Sequence, residues 1–254
     1  MMPELSLSAV LGLPEIGAGD DLSELILQNT ATKVLSEDSV LIVAQKVVSK
    51  AEGREVSLKD VVPGTTAREL SREIKKDARV VELILSESRA VIRKRPGLLI
   101  VEHRSGHILA NAGIDASNII QKDDDPRVLL WPADPDSSAR ELSIHLSQRL
   151  QRATPVIIND SIGRPWRLGT TGQAIGCFGL GPLWDQRDST DRHGNRLNST
   201  MPATADAIAA AASLLQGEAA ESLPVVWLSG YKYQPDENAS AKQLLRPEDE
   251  DLFR

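Results

Sequence analysis

A single cysteine, Cys177, is all that 254 residues provide. No intrachain disulfide can form and no cysteine-based zinc site can be built, which fits a reducing cytosol. No stretch approaches the ~18–20 apolar residues of a membrane span. The opening Met1-Met2-Pro3-Glu4 lacks a basic n-region and an apolar h-region, so no signal peptide is expected. Positive charge is in deficit, with a formal net charge of −7. That excludes a broad basic surface for nucleic acid but leaves room for a local basic pocket that takes a phosphorylated small molecule. Three familiar site motifs are missing too: G-x-x-x-x-G-K-[ST], G-x-G-x-x-G after a strand, and G-x-S-x-G. Any nucleotide site must be of another design. The expectation is a soluble, cytoplasmic protein with neither membrane nor nucleic-acid partners.

What is present suffices for a substantial core. Apolar residues make up 41% of the chain, and the length suits one large domain or two small ones. No internal repeat or long low-complexity linker divides it. Residues 5–10 read as a first strand. Asp20-Asp21 opens a helix over 22–30, with Leu22, Leu25 and Ile26 on one face. The apolar run 39–44 reads as a buried strand. Helices are expected over 66–77, capped by Thr66, over 79–88, over 136–150 and over 203–215. Strands are expected over 90–95, 98–103, 107–109, 156–160 and 225–229. Residues 121–128 read as a charged, mobile loop, 169–181 as strand broken by turns, and 246–254 as a charged tail with helical character. Strands and helices alternate without a regular βαβ rhythm, which favours a mixed α/β (α+β) fold over a doubly wound sheet.

Two carboxylates stand out. Asp115 lies in Asn111-Ala112-Gly113-Ile114-Asp115-Ala116-Ser117-Asn118, and Asp160 in Asp160-Ser161-Ile162-Gly163-Arg164. Both follow runs that read as strands. Carboxylates at strand ends, framed by small residues, can hold a hard cation and its bound phosphates. The Ser161 hydroxyl can join such a set, and Arg164 and Arg167 can grip anionic oxygens. Asp115 and Asn118 are equally good turn formers. Lys46, Lys50 and Arg54 cluster after the 39–44 strand, where they form either a phosphate-binding edge or a solvated helix face. Glu218 follows the end of the 203–215 helix at Gly217, where it is either a third acid or an exposed residue after a C-cap. His103 and His107 flank a Ser105-Gly106 turn and read as a solvated turn. His145 and His193 read as structural, and Cys177 as a small apolar group.

Taken in order, Gly12-Leu13-Pro14, Gly19-Asp20-Asp21-Leu22, Ser49-Lys50-Ala51-Glu52-Gly53-Arg54, the segment 111–118, Asp134-Pro135-Asp136, Asp160 with Gly163-Arg164, Ala174-Ile175-Gly176, Ala205-Asp206 and Gly217-Glu218 form a specific set. Together they resemble the coenzyme F-420-0:L-glutamate ligase (gamma-glutamyl ligase) family over nearly the whole chain. The resemblance implies GTP-dependent joining of L-glutamate to coenzyme F-420-0, with release of GDP and phosphate and the option of longer gamma-glutamyl chains. It implies Mg²⁺ or Mn²⁺, two ions per site, with help from K⁺. It further implies an intertwined homodimer of one mixed α/β ligase domain over residues 1–254, without the nitroreductase-like domain that follows in some relatives. By position, Asp115, Asp160, Ser161 and Glu218 match metal-binding residues. Leu13, Pro14, Glu15, Ile16, Gln45, Lys46, Lys50, Asn118, Gln216, Gly217 and Leu223 match nucleotide-binding ones. Lys50, Arg164 and Arg167 are then candidates to position the transferring phosphoryl group. Ser161 stands where the family usually has Thr, Ala207 where it has an acid, and Asp188 where it has Gly. Gln45-Lys46 replaces smaller polar residues, and residues 123–126 are an insertion. The alternatives are a relative acting on another carboxylate and a metal-dependent GTP-binding module without ligation.

Overall fold

The computed structural model describes residues 4–31, 35–121 and 124–252. Its centre is explained by one short run, the strand β2 (Val40–Ala44), in which Val40, Leu41, Ile42 and Val43 are all fully buried. Successive side chains of a strand point to opposite faces, so an unbroken apolar run needs cover on both sides. It receives that cover. Leu41 and Val43 belong to one core with Leu22, Ile26, Leu142 and Leu146, which come from helices α1 (Leu22–Asn29) and α5 (Pro135–Leu150). Val40 and Ile42 belong to a second core with Ala205, Ile208, Ala209 and Ala212, all from helix α6 (Thr204–Gln216).

The main sheet has the order β1-β10-β2-β8-β9, with β1 at Ser6–Ala9, β8 at Val156–Gly163, β9 at Thr170–Phe178 and β10 at Val225–Ser229. Of its pairings, only β2 with β8 is parallel. Helix α2 (Gln45–Ala51) follows β2 directly. A smaller layer holds the two-stranded pair β3 (Glu55–Ser57) with β7 (Arg127–Leu129) and the antiparallel β4 (Ser88–Arg95), β5 (Leu98–His103) and β6 (Ile108–Ala110). Helices α3 (Thr65–Ile74) and α4 (Ala78–Ser86) pack there around Ala67, Ile74, Val81 and Ile84, with Leu99 and Val101 of β5.

This mixed α/β arrangement agrees with the expected class, and several local expectations need correction. Thr66 is not a cap: α3 starts one residue earlier and its N-cap is Gly64, with no side-chain cap bond. The 156–160 strand runs on to Gly163, because β9 pairs with it along its whole length, so Asp160 sits within a strand and not at its end. Residues 170–178 form one continuous strand despite their glycines. Gly172 and Gly176 instead mark close approaches to the backbone of α6 and of Pro135. The expected 121–128 loop ends in β7, and Asp125 is tied down by Ser57 and by Arg127 (2.9 Å). Residues 122 and 123 of that loop lie outside the described residues. In the tail only a single 3₁₀ turn, Glu248–Glu250, forms among the described residues.

Candidate active site

Five separate chain segments converge beside the main sheet, four of them held there by its strands. The end of β2 and the middle of β8 lie side by side, Ala44 against Asn159. Beyond β1, the Val10 backbone N–H donates to Val225 (2.9 Å), and the Ala44 N–H donates to Pro224 (2.8 Å). Residues 11–16, 44–50, 159–161 and 216–224 are thereby held around one opening, beyond the carboxyl end of β2 and beside the middle of β8. Ligands collect at such strand ends in α/β sheets.

The opening is a cavity of about 510 Å³, within the usual range for small-molecule sites. Leu13, Pro14, Glu15 and Ile16 form one wall, and Gln45, Lys46 and Lys50 a second. Asp115 and Asn118 enter from a third side, Asp160 and Ser161 from β8, and Gln216, Gly217, Glu218 and Leu223 from the α6–β10 connection. Asp115 and Asn118 reach it from a bent segment and not from a helical turn: Asn118 is left-handed at φ 54°. Glu218, readable from sequence as merely exposed, lines the cavity and accepts the Ser161 hydroxyl.

Arg164, Arg167 and Arg54 are not brought into this lining. Arg164 lies at the turn between β8 and β9, where its Nη2 donates to the Leu168 carbonyl (3.3 Å), and Arg167 is exposed in the same turn. The reason is the length of β8, which carries both arginines past the cavity. Arg54 turns away to donate to the Trp131 carbonyl (2.8 Å) and to Glu87 (3.0 Å).

Charge in the cavity is mixed and ordered. Lys46 Nζ pairs with Asp115 Oδ2 at 2.7 Å and donates to Ser117 Oγ at 2.7 Å. Ser117 returns its backbone N–H to Asp115 Oδ1 (2.8 Å). Burial opposes ionisation of Asp115, but Lys46 and the Ser117 N–H overcome it and hold the carboxyl below its ordinary value. Lys50 pairs with Glu15 across the opening. Asp160 differs, because burial, reinforced by the nearby charge of Asp115, pushes its carboxyl up to about 6. The charge of Asp115 is felt at Asp160, and Lys46 counters it at both carboxyls. Among the described residues no three acidic or histidine side chains converge as a ready-made metal cluster. The donors are all oxygen, from Asp115, Asp160, Ser161 and Glu218. Oxygen donors suit a hard divalent ion whose remaining positions are filled by water and phosphate. The residues present therefore fit such an ion.

Comparison with known proteins bears on what this cavity serves. Residues 11–230 match the family described as F420-0:Gamma-glutamyl ligase. The chain belongs to this family. A relative from Methanothermobacter thermautotrophicus, coenzyme F420:L-glutamate ligase, is 40% identical over 253 residues, covering 98% of this chain and 99% of its own. Proteins of the same name from Methanopyrus kandleri and Archaeoglobus fulgidus are each 39% identical, over 256 and 246 residues, and cover 100% and 96% of this chain and 99% and 94% of their own. The gamma-glutamyl ligase motifs read from the sequence divide between the cavity and its frame. Asp134 caps α5, accepting from the Ser137 N–H. Asp136 accepts from the Cys177 and Ala241 N–H groups and from the Ser240 hydroxyl. Asp206 accepts from the Ala174 N–H (2.9 Å). Cys177 is buried in the α6-side core, as its apolar reading implied.

The histidines and one tryptophan were not legible. His103 and His107 are not solvated; they are 2% and 6% exposed. They flank the indole of Trp131, with ring centroids at 5.0 and 5.5 Å. Burial, with His103 alongside, pulls the His107 imidazole down to about 4. Trp131 itself is fully buried, and its Nε1–H donates to Asp160 Oδ2 at 2.8 Å. In the sequence it is only an apolar residue before the Asp134 motif. Among the described residues no helix is long and apolar enough to cross a membrane.

Proposed function

We propose that this protein joins L-glutamate to coenzyme F-420-0 at the expense of GTP, in the cytoplasm, as one ligase domain assembled into a homodimer. The observation that carries the reading is the meeting of two lysines with four oxygen donors in one cavity beyond the carboxyl end of β2, in a chain of the gamma-glutamyl ligase family. A carboxylate resists attack by an amine because its departing group would be an oxide. Transfer of the GTP γ-phosphoryl group to the acceptor carboxylate forms a C–O–P linkage and breaks the bond to GDP. The glutamate amine then attacks the acyl carbon, loses a proton and expels phosphate. Most of the catalysis in such a transfer is positioning and charge stabilisation.

In this reading Lys46 and Lys50 exchange their carboxylate partners for phosphate oxygens. Leu13–Ile16, Gln45, Asn118, Gln216, Gly217 and Leu223 enclose the nucleotide. Asp115, Asp160, Ser161 and Glu218 would hold Mg²⁺ or Mn²⁺, which supplies charge neutralisation along the triphosphate. K⁺ assistance belongs to the same reading. Arg164 and Arg167 reach the transferring group only if the β8–β9 turn closes over the cavity. The test is mass spectrometry of F-420-0 incubated with the protein, GTP, Mn²⁺ and L-glutamate. A product heavier by one glutamyl residue, with phosphate release that needs both F-420-0 and L-glutamate, is expected. Phosphate release that ignores either one would refute ligation.

A further inference from the structure

The two aspartates of the cavity lie 45 positions apart in sequence, and one three-residue stretch touches both. The Asp115 N–H donates to the Leu129 carbonyl (3.1 Å), and the Leu129 N–H donates to the Asp115 carbonyl (2.8 Å), a two-way backbone bridge. Two residues on, Trp131 crosses to the other acid and gives its indole N–H to Asp160 Oδ2 at 2.8 Å. The same ring lies against the backbone beside Asp115: a Cβ on Gly113, where φ is +70°, would stand 2.2 Å from Nε1. Any side chain at position 113 would displace the indole.

The ring is fully buried and its backbone is held on both sides. His103 and His107 flank it. Arg54 Nε holds its carbonyl at 2.8 Å, the Leu130 N–H donates to the Arg54 carbonyl at 3.1 Å, and Arg54 is braced by Glu87 at 3.0 Å. Oδ1 of Asp160 is held in turn by the Ser161 N–H at 2.8 Å. Each oxygen of Asp160 thus has one fixed donor, and the residue itself lines the cavity. A neutral donor orients a carboxylate without competing, as a lysine would, with a cation for its charge.

We infer that Trp131 is a positioning residue: by hydrogen-bonding Asp160 and packing against Gly113, two residues before Asp115, it sets the spacing and orientation of the two carboxylates toward a divalent cation. The inference rests on the metal reading proposed above, and the test separates the two. Mn²⁺ is titrated calorimetrically into the full-length protein, into Trp131→Phe, which keeps an aromatic ring and loses the donor, and into Asp160→Asn. Trp131→Phe is expected to bind Mn²⁺ about 10-fold more weakly, the lower end of the effect of removing a group that orients a metal ligand, while still unfolding cooperatively. Asp160→Asn is expected to lose nearly all binding. Wild-type affinity in Trp131→Phe beside lost affinity in Asp160→Asn overturns the positioning role. Unchanged affinity in both overturns the metal reading, and this inference with it.

A second measurement uses the unmodified chain. Nitrogen-15 labelling of its four tryptophans gives four indole N–H signals, assigned by single Phe replacements at 166, 184 and 227. The signal of Trp131 is expected to shift on Mg²⁺ addition and to broaden away with Mn²⁺. A Trp131 signal that ignores saturating Mg²⁺ overturns the inference even if Trp131→Phe does not fold.

Discussion

Acid should destabilise this protein first through His107. Its imidazole is packed edge-on against Trp131, with Ser105 Oγ at 2.9 Å from Nδ1. Burial and the adjacent His103 bring it from 6.5 to about 4, with the Ala174 backbone and then Asp136 pulling upward and Lys242 weakly downward. A group with a depressed folded value binds fewer protons when folded than when unfolded between the two values, so stability rises with pH there. The contribution is complete above pH ~6.5 and is lost as pH falls toward ~4. The interval corresponds to about 3 kcal/mol at its fullest, a sizeable share of the ~5–15 kcal/mol that holds a domain folded. The assay is urea unfolding, followed by tryptophan fluorescence, at steps from pH 4 to 8. Wild type is compared with His107→Gln, which keeps a polar side chain and cannot titrate. The difference between the two should change by about 2–3 kcal/mol across the window and stay flat above it. Parallel profiles would refute the buried, neutral imidazole. At lower pH Glu87 takes over. Burial opposes its charge, but His103, Arg104 and Arg54 hold its carboxyl down at about 2, so its contribution is lost as pH falls from 4.5 toward that value.

Lys50→Ala should weaken GTP binding by about 1.5–3 kcal/mol, the range for a hydrogen bond to a charged group, and leave the GTP/ATP preference unchanged; calorimetric titration with both nucleotides in Mn²⁺ checks this. Gly176→Ala should destabilise by about 1–3 kcal/mol through overpacking, because its Cβ would meet the Pro135 carbonyl oxygen at 2.2 Å; thermal melting reads the loss. Light scattering at micromolar concentration should give the mass of a homodimer, and a monomer mass would contradict the proposed assembly.

Elements whose signal is local were readable from the chain. Asp21 announces α1 because an N-cap is a short-range device. The run 39–44 announces a buried strand because apolar continuity has few other causes, and the strand forms over Val40–Ala44. Positions around the cavity were readable by likeness of motif, from Leu13 to Glu218. What escaped was set by partners far along the chain. β8 runs past Asp160 because β9 pairs with it, and this carries Arg164 and Arg167 away from the cavity. β7 forms because β3 offers an edge to 127–129. His103 and His107 read as polar turn residues until Trp131, more than 20 positions on, packs against both rings. No spacing rule foretells that contact.

The wall 13–16 hangs from β1, an outermost strand joined to the sheet by a four-residue register with β10. A strand with a neighbour on one side only opens more readily than a central one, so this lip of the cavity should loosen before the rest of the molecule unfolds. The nucleotide would then meet a hinged doorway and not a fixed mould. Occupancy and local melting would be coupled, with bound nucleotide fastening the lip through Glu15 and its neighbours. On heating, affinity would decline ahead of the global transition. The amide protons of residues 6–10 would exchange faster in the empty protein than in the filled one, a difference that hydrogen exchange can read directly.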